Sequence, residues 1–376
     1  MRTQAALYGS ADPDLELSWS EAELPQTERT KHVHGLHPYL GKFIPQLVET
    51  FLYRYFRPGD CILDPFAGSG TTLVEANAFG AHSLGCDISA FNCLLARVKM
   101  TAYSPARVEL ALKTALEAAR LAGPASPEEA SEWLRHWYAP QALGELLAYR
   151  TAIEELDDPA WDAARIVLSR AARSARLTTH FDLDFPPAPV REPYHCYKHR
   201  RTCRPVEEAA KFLRRYTADT GARLRKFAPL RTGCQALVLH DDARTVEFPL
   251  EPTGVITSPP YPGVIDYHEQ HRYAFELLGL AERGANEIGA VANGKGRAAE
   301  EAYVRDMVAA LGNAGRQLAL GAPVIVVVSD GRGLYRERIV PRAGLEVEET
   351  VTRHVNRRTG RRAGEFYEQI LVCRSA

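Results

Sequence analysis

The residues best placed to do chemistry lie at GVITSPPYPGVIDY (254–267). A short apolar strand, 254–257, stops at Ser258-Pro259-Pro260-Tyr261. Two consecutive prolines cannot donate to a sheet ladder, so the backbone leaves the sheet there. The carbonyl of Pro259 is thereby freed to accept a hydrogen bond, Ser258 adds a hydroxyl acceptor, and Tyr261 offers a flat ring. Two acceptors beside a stacking ring suit an exocyclic amino group that must be held, oriented and relieved of a proton as it attacks a methyl group. A nucleobase reaches such a slot only when flipped from the duplex or presented single-stranded. The competing reading is a simple PP turn that closes a strand.

A second constellation lies at CILDPFAGSGTTLVEANAFGAHSLGCD (61–87). It reads as a strand over 61–63, a tight turn Ala67-Gly68-Ser69-Gly70, a helix over 71–79 ended by Gly80, and a second strand closed by Asp87. Asp87 follows Gly68 by 19 residues, where a carboxylate can accept from ribose hydroxyls. The phosphate-loop pattern GxxxxGK[ST] is absent, and GxGxxG lacks its third glycine, so no pyrophosphate cradle is implied. Asp64 at the strand end suits a ligand with a cationic amino group. S-adenosylmethionine has that group, a ribose and no phosphate. The alternative is a structural βαβ turn without a ligand.

Together, DPFAGSG and TSPPY resemble the amino-methyltransferases of DNA, which methylate cytosine N4 or adenine N6. HGLHPYLGKFIPQLV (34–48) resembles the segment that precedes the glycine turn in that family. The resemblance spans 31–104 and 228–376 and implies an α/β fold: a doubly wound, seven-stranded, Rossmann-like methyltransferase sheet ending in a β-hairpin. It implies that Lys42, Phe43 and Pro45 cap the cofactor and that Asp64, Phe66, Gly68 and Gly70 hold its amino-acid part. Asp87 would take the ribose, Ile88 would lie against the adenine, and Asp242 would bond the adenine ring. Ser258, Pro259, Pro260 and Tyr261 would be the catalytic set. Serine at 258, where many adenine enzymes carry aspartate, leans the reading towards cytosine N4. No cysteine sits in the catalytic turn, which disfavours a covalent carbon-5 mechanism. The alternatives are an adenine-N6 enzyme, an RNA amino-methyltransferase acting on tRNA or rRNA, and a non-catalytic DNA-binding relic.

The elements that must position these residues emerge from charge and composition. The chain has 376 residues, 46 Lys and Arg against 47 Asp and Glu, and a net charge of −1. That balance conceals segregation. Residues 1–30 carry six acids and two bases and read as an arm. Residues 105–160 read as amphipathic helices with ten acids and five bases. Ser104 and Ser126, each followed by proline, read as helix N-caps. Residues 161–226 reverse the sign, with 15 bases against seven acids. The stretch 105–227 is therefore a mostly helical, basic insertion and the candidate DNA-recognition region. It falls between the Asp87 and Asp242 strands, whereas recognition regions of the family commonly sit elsewhere, for instance just before the catalytic motif.

Within the insertion, Arg165, Arg170, Arg173 and Arg176 share a helix face, read as tracking phosphates rather than merely solvated. Lys198, Arg200, Arg201 and Arg204 follow, with Phe185, Tyr194 and Tyr197 interleaved as stacking or wedge residues. Arg357 and Arg358, at the turn of the last hairpin, complete the expected double-stranded DNA contacts. His195, Cys196, His199 and Cys203 raise the question of zinc. Their spacing is tight, and a structural site usually draws ligand pairs from separated segments, so an ordered basic loop without metal is the expectation. Seven cysteines, odd in number and widely spread, suit a reducing compartment. The N-terminus lacks a signal-peptide core and no apolar run approaches the roughly 20 residues of a membrane span. The expectation is a cytoplasmic protein, at the nucleoid when bound to DNA. No nuclease motif is present, so a restriction endonuclease would be a separate partner. The oligomeric state is open.

Overall fold

The computed structural model describes residues 17–376 except 42, 158, 264, 292, 293, 295, 332 and 356–365. Extended Ile44 followed by Pro45 at the first helical position opens α1 (Pro45–Tyr55), where a missing N–H costs nothing. The glycine-turn unit folds as its sequence dictates. β1 (Cys61–Asp64) is wholly buried, α2 (Thr71–Phe79) runs between left-handed Gly70 and Gly80, and β2 (His82–Asp87) follows. Next come α3 (Ala90–Met100) and the insertion helices α4 (Pro105–Ala122), α5 (Glu132–Trp137), α6 (Pro140–Glu154) and α7 (Ala160–Ala175). A small hairpin, β3 (Tyr194–Cys196) and β4 (Arg201–Cys203), leads to α8 (Ala210–Phe227). The chain then returns to the sheet with β5 (Ala236–His240) and β6 (Gly254–Thr257). α9 (Arg272–Leu278), α10 (Arg297–Arg316), β7 (Pro323–Val328), β8 (Leu345–His354) and β9 (Tyr367–Ser375) complete it.

The sheet has seven strands in the order β5-β2-β1-β6-β7-β9-β8. The first five are parallel, and β9 runs antiparallel to β7 and β8. Side chains alternate between two apolar layers, as the period of two requires. Leu63, Val255, Val324 and Val326 pack with Val304, Met307 and Leu311 of α10. Ile62, Ile256, Ile325 and Val327 pack with Leu47, Phe51 and Leu52 of α1. The run PVIVVV is apolar at every position because both faces are covered.

The insertion shares a core with the sheet domain. Leu73, Val74, Phe91 and Leu95 belong to one apolar cluster with Leu112, Leu146, Ile166 and Leu224. Arg223 of α8 donates to the carbonyls of Thr30 and His32, and the His37 ring meets the Ser169 hydroxyl. Two expectations change here. Ser126 does not cap a helix; Ser131 does, accepting from the Leu134 N–H, and Pro127 lies in the turn before it. Nor is all of 1–30 a loose arm, because buried Leu17 joins the α1 layer; residues 1–16 lie outside the described residues.

Candidate active site

The chain leaves β1 for β2 on one side and later enters β6 on the other, so the strand order reverses between β1 and β6. These neighbours pair in register, Ile62 with Gly254 and Leu63 with Val255. Ligands of open α/β sheets bind at such a switch point, outside the strand carboxyl ends. The glycine turn and Ser258-Pro259-Pro260-Tyr261 therefore emerge side by side, although 190-odd residues separate them in sequence.

A cleft of about 750 Å³ opens there, lined on one side by Phe66, Ala67, Gly68, Asp87, Ile88 and Asp242 and on the other by Ser258 and Pro260. Phe43 forms part of its cover. Gly68 adopts φ +48°, and a Cβ there would lie 3.0 Å from the Tyr39 hydroxyl, so a side chain would strain the left-handed turn and crowd Tyr39. Its N–H donates to Asp87 Oδ2 at 2.8 Å, while Asp87 Oδ1 accepts from the Ser89 N–H and the Asn92 amide. Beneath the turn, the buried ammonium of Lys99 donates to the Ser69 carbonyl. The acceptor end of β2 is thus fixed before any ligand arrives.

Asp64 stands behind the turn and not on the cleft wall. It is fully buried, with Oδ1 accepting from the Phe66 N–H at 3.1 Å and the Thr257 hydroxyl at 2.7 Å. The Thr257 bond ties the ends of β1 and β6 together. Burial pushes both Asp64 and Asp87 up to about 6, since a carboxylate loses hydration there. Gly70 and Pro45 also lie off the wall: Gly70 starts α2 and faces Ala96, and Pro45 starts α1. Asp242 reaches the cleft while Arg244 grips its carboxylate through two nitrogens. Lys42 lies outside the described residues.

On the catalytic side, the Ser258 hydroxyl donates to the Val327 carbonyl at 3.1 Å. Its one proton is spent inside the protein, so towards the cleft Ser258 offers acceptor lone pairs. The Pro260 carbonyl accepts from Tyr303 at 2.8 Å. Tyr261 donates to Glu368 Oε1 at 3.0 Å, and Arg353 grips Glu368 Oε2 through two nitrogens. Burial holds the Tyr261 phenol well above its ordinary range, which keeps it a neutral donor. Its ring is therefore set by β8 and β9 from across the sheet. Pro259 is buried at the turn, and neither it nor Tyr261 lines the cleft itself.

Residues without a sequence signal complete the wall. Tyr39 and Tyr267 stack at 5.6 Å, and Glu287 accepts from the Tyr267 N–H and meets the His268 ring. Asn92, Asn286 and Ile288 also contribute. Of these, Tyr39 could have been found from its place in HGLHPYLGKF and Tyr267 from its place at the end of GVITSPPYPGVIDY.

The predicted phosphate-tracking helix is corrected. On α7, Arg170 pairs with Asp219, Arg173 with Asp184, and Arg165 with Asp162. Arg176 donates to the Leu183 carbonyl and lies over the Tyr273 ring. Arg165, Arg170 and Arg176 are buried and Arg173 is largely covered, so Arg173 and Arg176 face the core and not a polyanion. By contrast Lys198, Arg200, Arg201 and Arg204 are exposed, as is Tyr197 at 82%. Arg357 and Arg358 lie outside the described residues.

The sequence profile described as DNA methylase matches residues 7–97. The Type II methyltransferase M.MjaII of Methanocaldococcus jannaschii is 36% identical, over 95% of this chain and 83% of its own length. The chain belongs to the N6/N4 DNA methylase family. The methylase shares a shorter stretch with the Type II methyltransferase M.MvaI of Kocuria varians, 34% identical over 23% of this chain and 20% of that protein. A solved structure of TrmN from Thermus thermophilus aligns over 90% of this chain and 50% of its own at 14% identity, with a TM-score of 0.36, too distant to bear on function.

The methyl donor is S-adenosylmethionine, and the cleft fits it. Among the described residues its lining contains no Lys or Arg, while Asp87, Asp242 and Glu287 supply acceptors and Phe43, Phe66, Ile88 and Ile288 supply apolar contact. That donor set suits a cation with a ribose and an adenine. No described helix is long and apolar enough to cross a membrane.

Proposed function

We propose that this methylase transfers a methyl group to the exocyclic N4 amino group of a cytosine flipped out of double-stranded DNA. One observation carries the reading. Ser258 lines the cleft beside the glycine turn and donates its proton to the Val327 carbonyl, which leaves its oxygen free to act as an acceptor. A neutral acceptor of this kind orients an amino group and draws its hydrogens away, exposing the nitrogen lone pair. Beside the cleft rather than on its wall, the Pro259 carbonyl would be the second acceptor and Tyr261, pinned through Glu368, would be the platform for the ring.

The donor supplies an activated methyl on a sulfonium. The protein's own part is positioning and dipole stabilisation of the charge that develops on the nitrogen. Phe66 and Gly68 would seat the amino-acid end, Asp87 the ribose, Ile88 and Asp242 the adenine, and Phe43 would cover the site. The cytosine reading rests on the resemblance of the Ser258-Pro259-Pro260-Tyr261 form, since adenine N6 would present an amino group to the same acceptors. The exposed β3–β4 loop, with Tyr197, Lys198, Arg200, Arg201 and Arg204, would contact the duplex. Phosphate contacts would set register, and any base contact would specify sequence.

The test is mass spectrometry of nucleosides after incubation of the methylase with duplex DNA and labelled donor. N4-methylcytosine is expected. N6-methyladenine alone would refute the cytosine assignment, and methylation of tRNA but not of duplex DNA would refute the DNA one. A cognate endonuclease would cut the same sites in unmethylated DNA and spare them after treatment.

A further inference from the structure

Residues 176–209 join α7 to α8 with the β3–β4 hairpin as their regular structure. That hairpin is a two-stranded sheet on its own, and its buried cysteines belong to none of the three apolar clusters. An isolated hairpin is marginal in water, so something other than the core must hold it. The hairpin puts Cys196 and Cys203 on one face, since Cys196 pairs with Arg201 and Cys203 with Tyr194. Both are nearly buried, at 3% and 9% exposed. His199 comes from the connecting loop, where Arg200 takes φ +52° to turn the chain. The fourth member is His180, from the segment after α7, and not His195, whose exposed ring packs on Tyr197. One ligand atom from each of His180, Cys196, His199 and Cys203 lies within 4.8 Å of all the others.

We propose that these four side chains bind a structural zinc ion. Cys196 Sγ is 3.5 Å from His180 Nδ1, and Cys203 Sγ is 3.5 Å from His199 Nδ1. Bonds of about 2.3 Å to sulfur and about 2.0–2.1 Å to imidazole, at the tetrahedral angle, set sulfur and nitrogen about 3.5 Å apart. The donor set is Cys2His2, which closes all four positions, as a structural rather than catalytic site requires. The spacing His-x15-Cys-x2-His-x3-Cys supplies the separated ligand that the tight CxxHxxxC run lacks. Metal loading displaces the Tyr194 hydroxyl, which reaches His180 Nδ1 at 2.8 Å. The other converging set, His32, His34 and Glu75, already has the Lys31 ammonium on the Glu75 carboxylate at 3.0 Å and needs no ion.

The test uses the full chain, purified under reducing conditions and reconstituted with zinc or cobalt. One zinc per chain by elemental mass spectrometry is expected. Cobalt should give thiolate charge-transfer bands and the intense visible bands of a tetrahedral ion. Cys203→Ser and His180→Ala should lose the metal, while His195→Ala keeps it. Chelation should raise deuterium exchange in 176–209 and leave residues 61–87 and S-adenosylmethionine binding unchanged, which separates loss of metal from loss of fold. Reconstituted wild-type protein without bound metal would overturn the proposal, as would a Cys196–Cys203 disulfide or a site lost in His195→Ala and kept in His180→Ala.

Discussion

Replacing Ser258 by alanine removes one hydroxyl with two consequences of different size. In the free protein it deletes the donor to the Val327 carbonyl at 3.1 Å. A neutral bond of this kind contributes about 0.5–1.5 kcal/mol, so the melting temperature should fall by only a few degrees, at about 2–4 °C per kcal/mol for a large domain. In the reaction it deletes an acceptor aimed at the nitrogen where charge develops. Removing one preorganised polar contact from a transition state costs about 2.7–4 kcal/mol, or about 10²–10³ in rate. Single-turnover transfer of labelled methyl to duplex DNA should therefore slow a hundredfold or more. Cofactor affinity by calorimetry should stay within twofold, because the glycine turn and Asp87 are held by separate bonds. A rate within fivefold of wild type would refute the acceptor role. So would a rate loss matched by an equal loss of cofactor affinity, since Ser258 would then only shape the cleft.

Further outcomes follow from the same geometry. Gly68→Ala should weaken S-adenosylmethionine binding at least tenfold by calorimetry, because the left-handed backbone costs about 1–2 kcal/mol and the new Cβ meets Tyr39. Asp64 and Asp87, raised to about 6 by burial, give two opposed pH responses. A folded value above the ordinary 3.8 means that their contribution to ligand-free stability is present below about pH 4 and lost as pH rises through 6. Cofactor binding, which would need the charged form of Asp87 on the cleft wall, should instead weaken up to about tenfold from pH 7 to pH 5. Parallel melting and binding curves check both signs. Glu368→Gln strands the buried Arg353 charge and should destabilise by about 3–5 kcal/mol in urea titration; Arg353→Met in the same chain should recover most of it. Lys198→Ala with Arg200→Ala and Arg201→Ala should lower the salt slope of DNA binding by about 0.9 per lost phosphate contact.

Much of the fold was legible because its signals are local. Gly70 and Gly80 bracket α2 at positive φ, and PVIVVV could only be a strand covered on both faces. The cofactor wall was half legible. Asp87, Gly68, Ile88 and Asp242 fall where the motifs put them, but Glu287 comes from a stretch without a pattern, and Tyr267 reaches the wall only because a short helix, Tyr267–Gln270, starts there. Ser126-Pro127 carried a good capping signal and lost to Ser131, whose oxygen reaches the Leu134 N–H.

By itself the sequence determined the two motifs, the strands that end in them and the donor chemistry that each can offer, because these depend on residue type and short spacing. Tertiary structure decided the rest. It put β1 beside β6, so that Gly68 and Ser258 share one cleft. It turned the arginines of α7 onto Asp184, Asp219 and Tyr273, because a helix packed on every side must satisfy its charges internally. It also replaced His195 with His180 beside the cysteines. A charge pattern along a chain says which side chains need partners, and only the packed fold says whether those partners are solvent, a ligand or the protein itself.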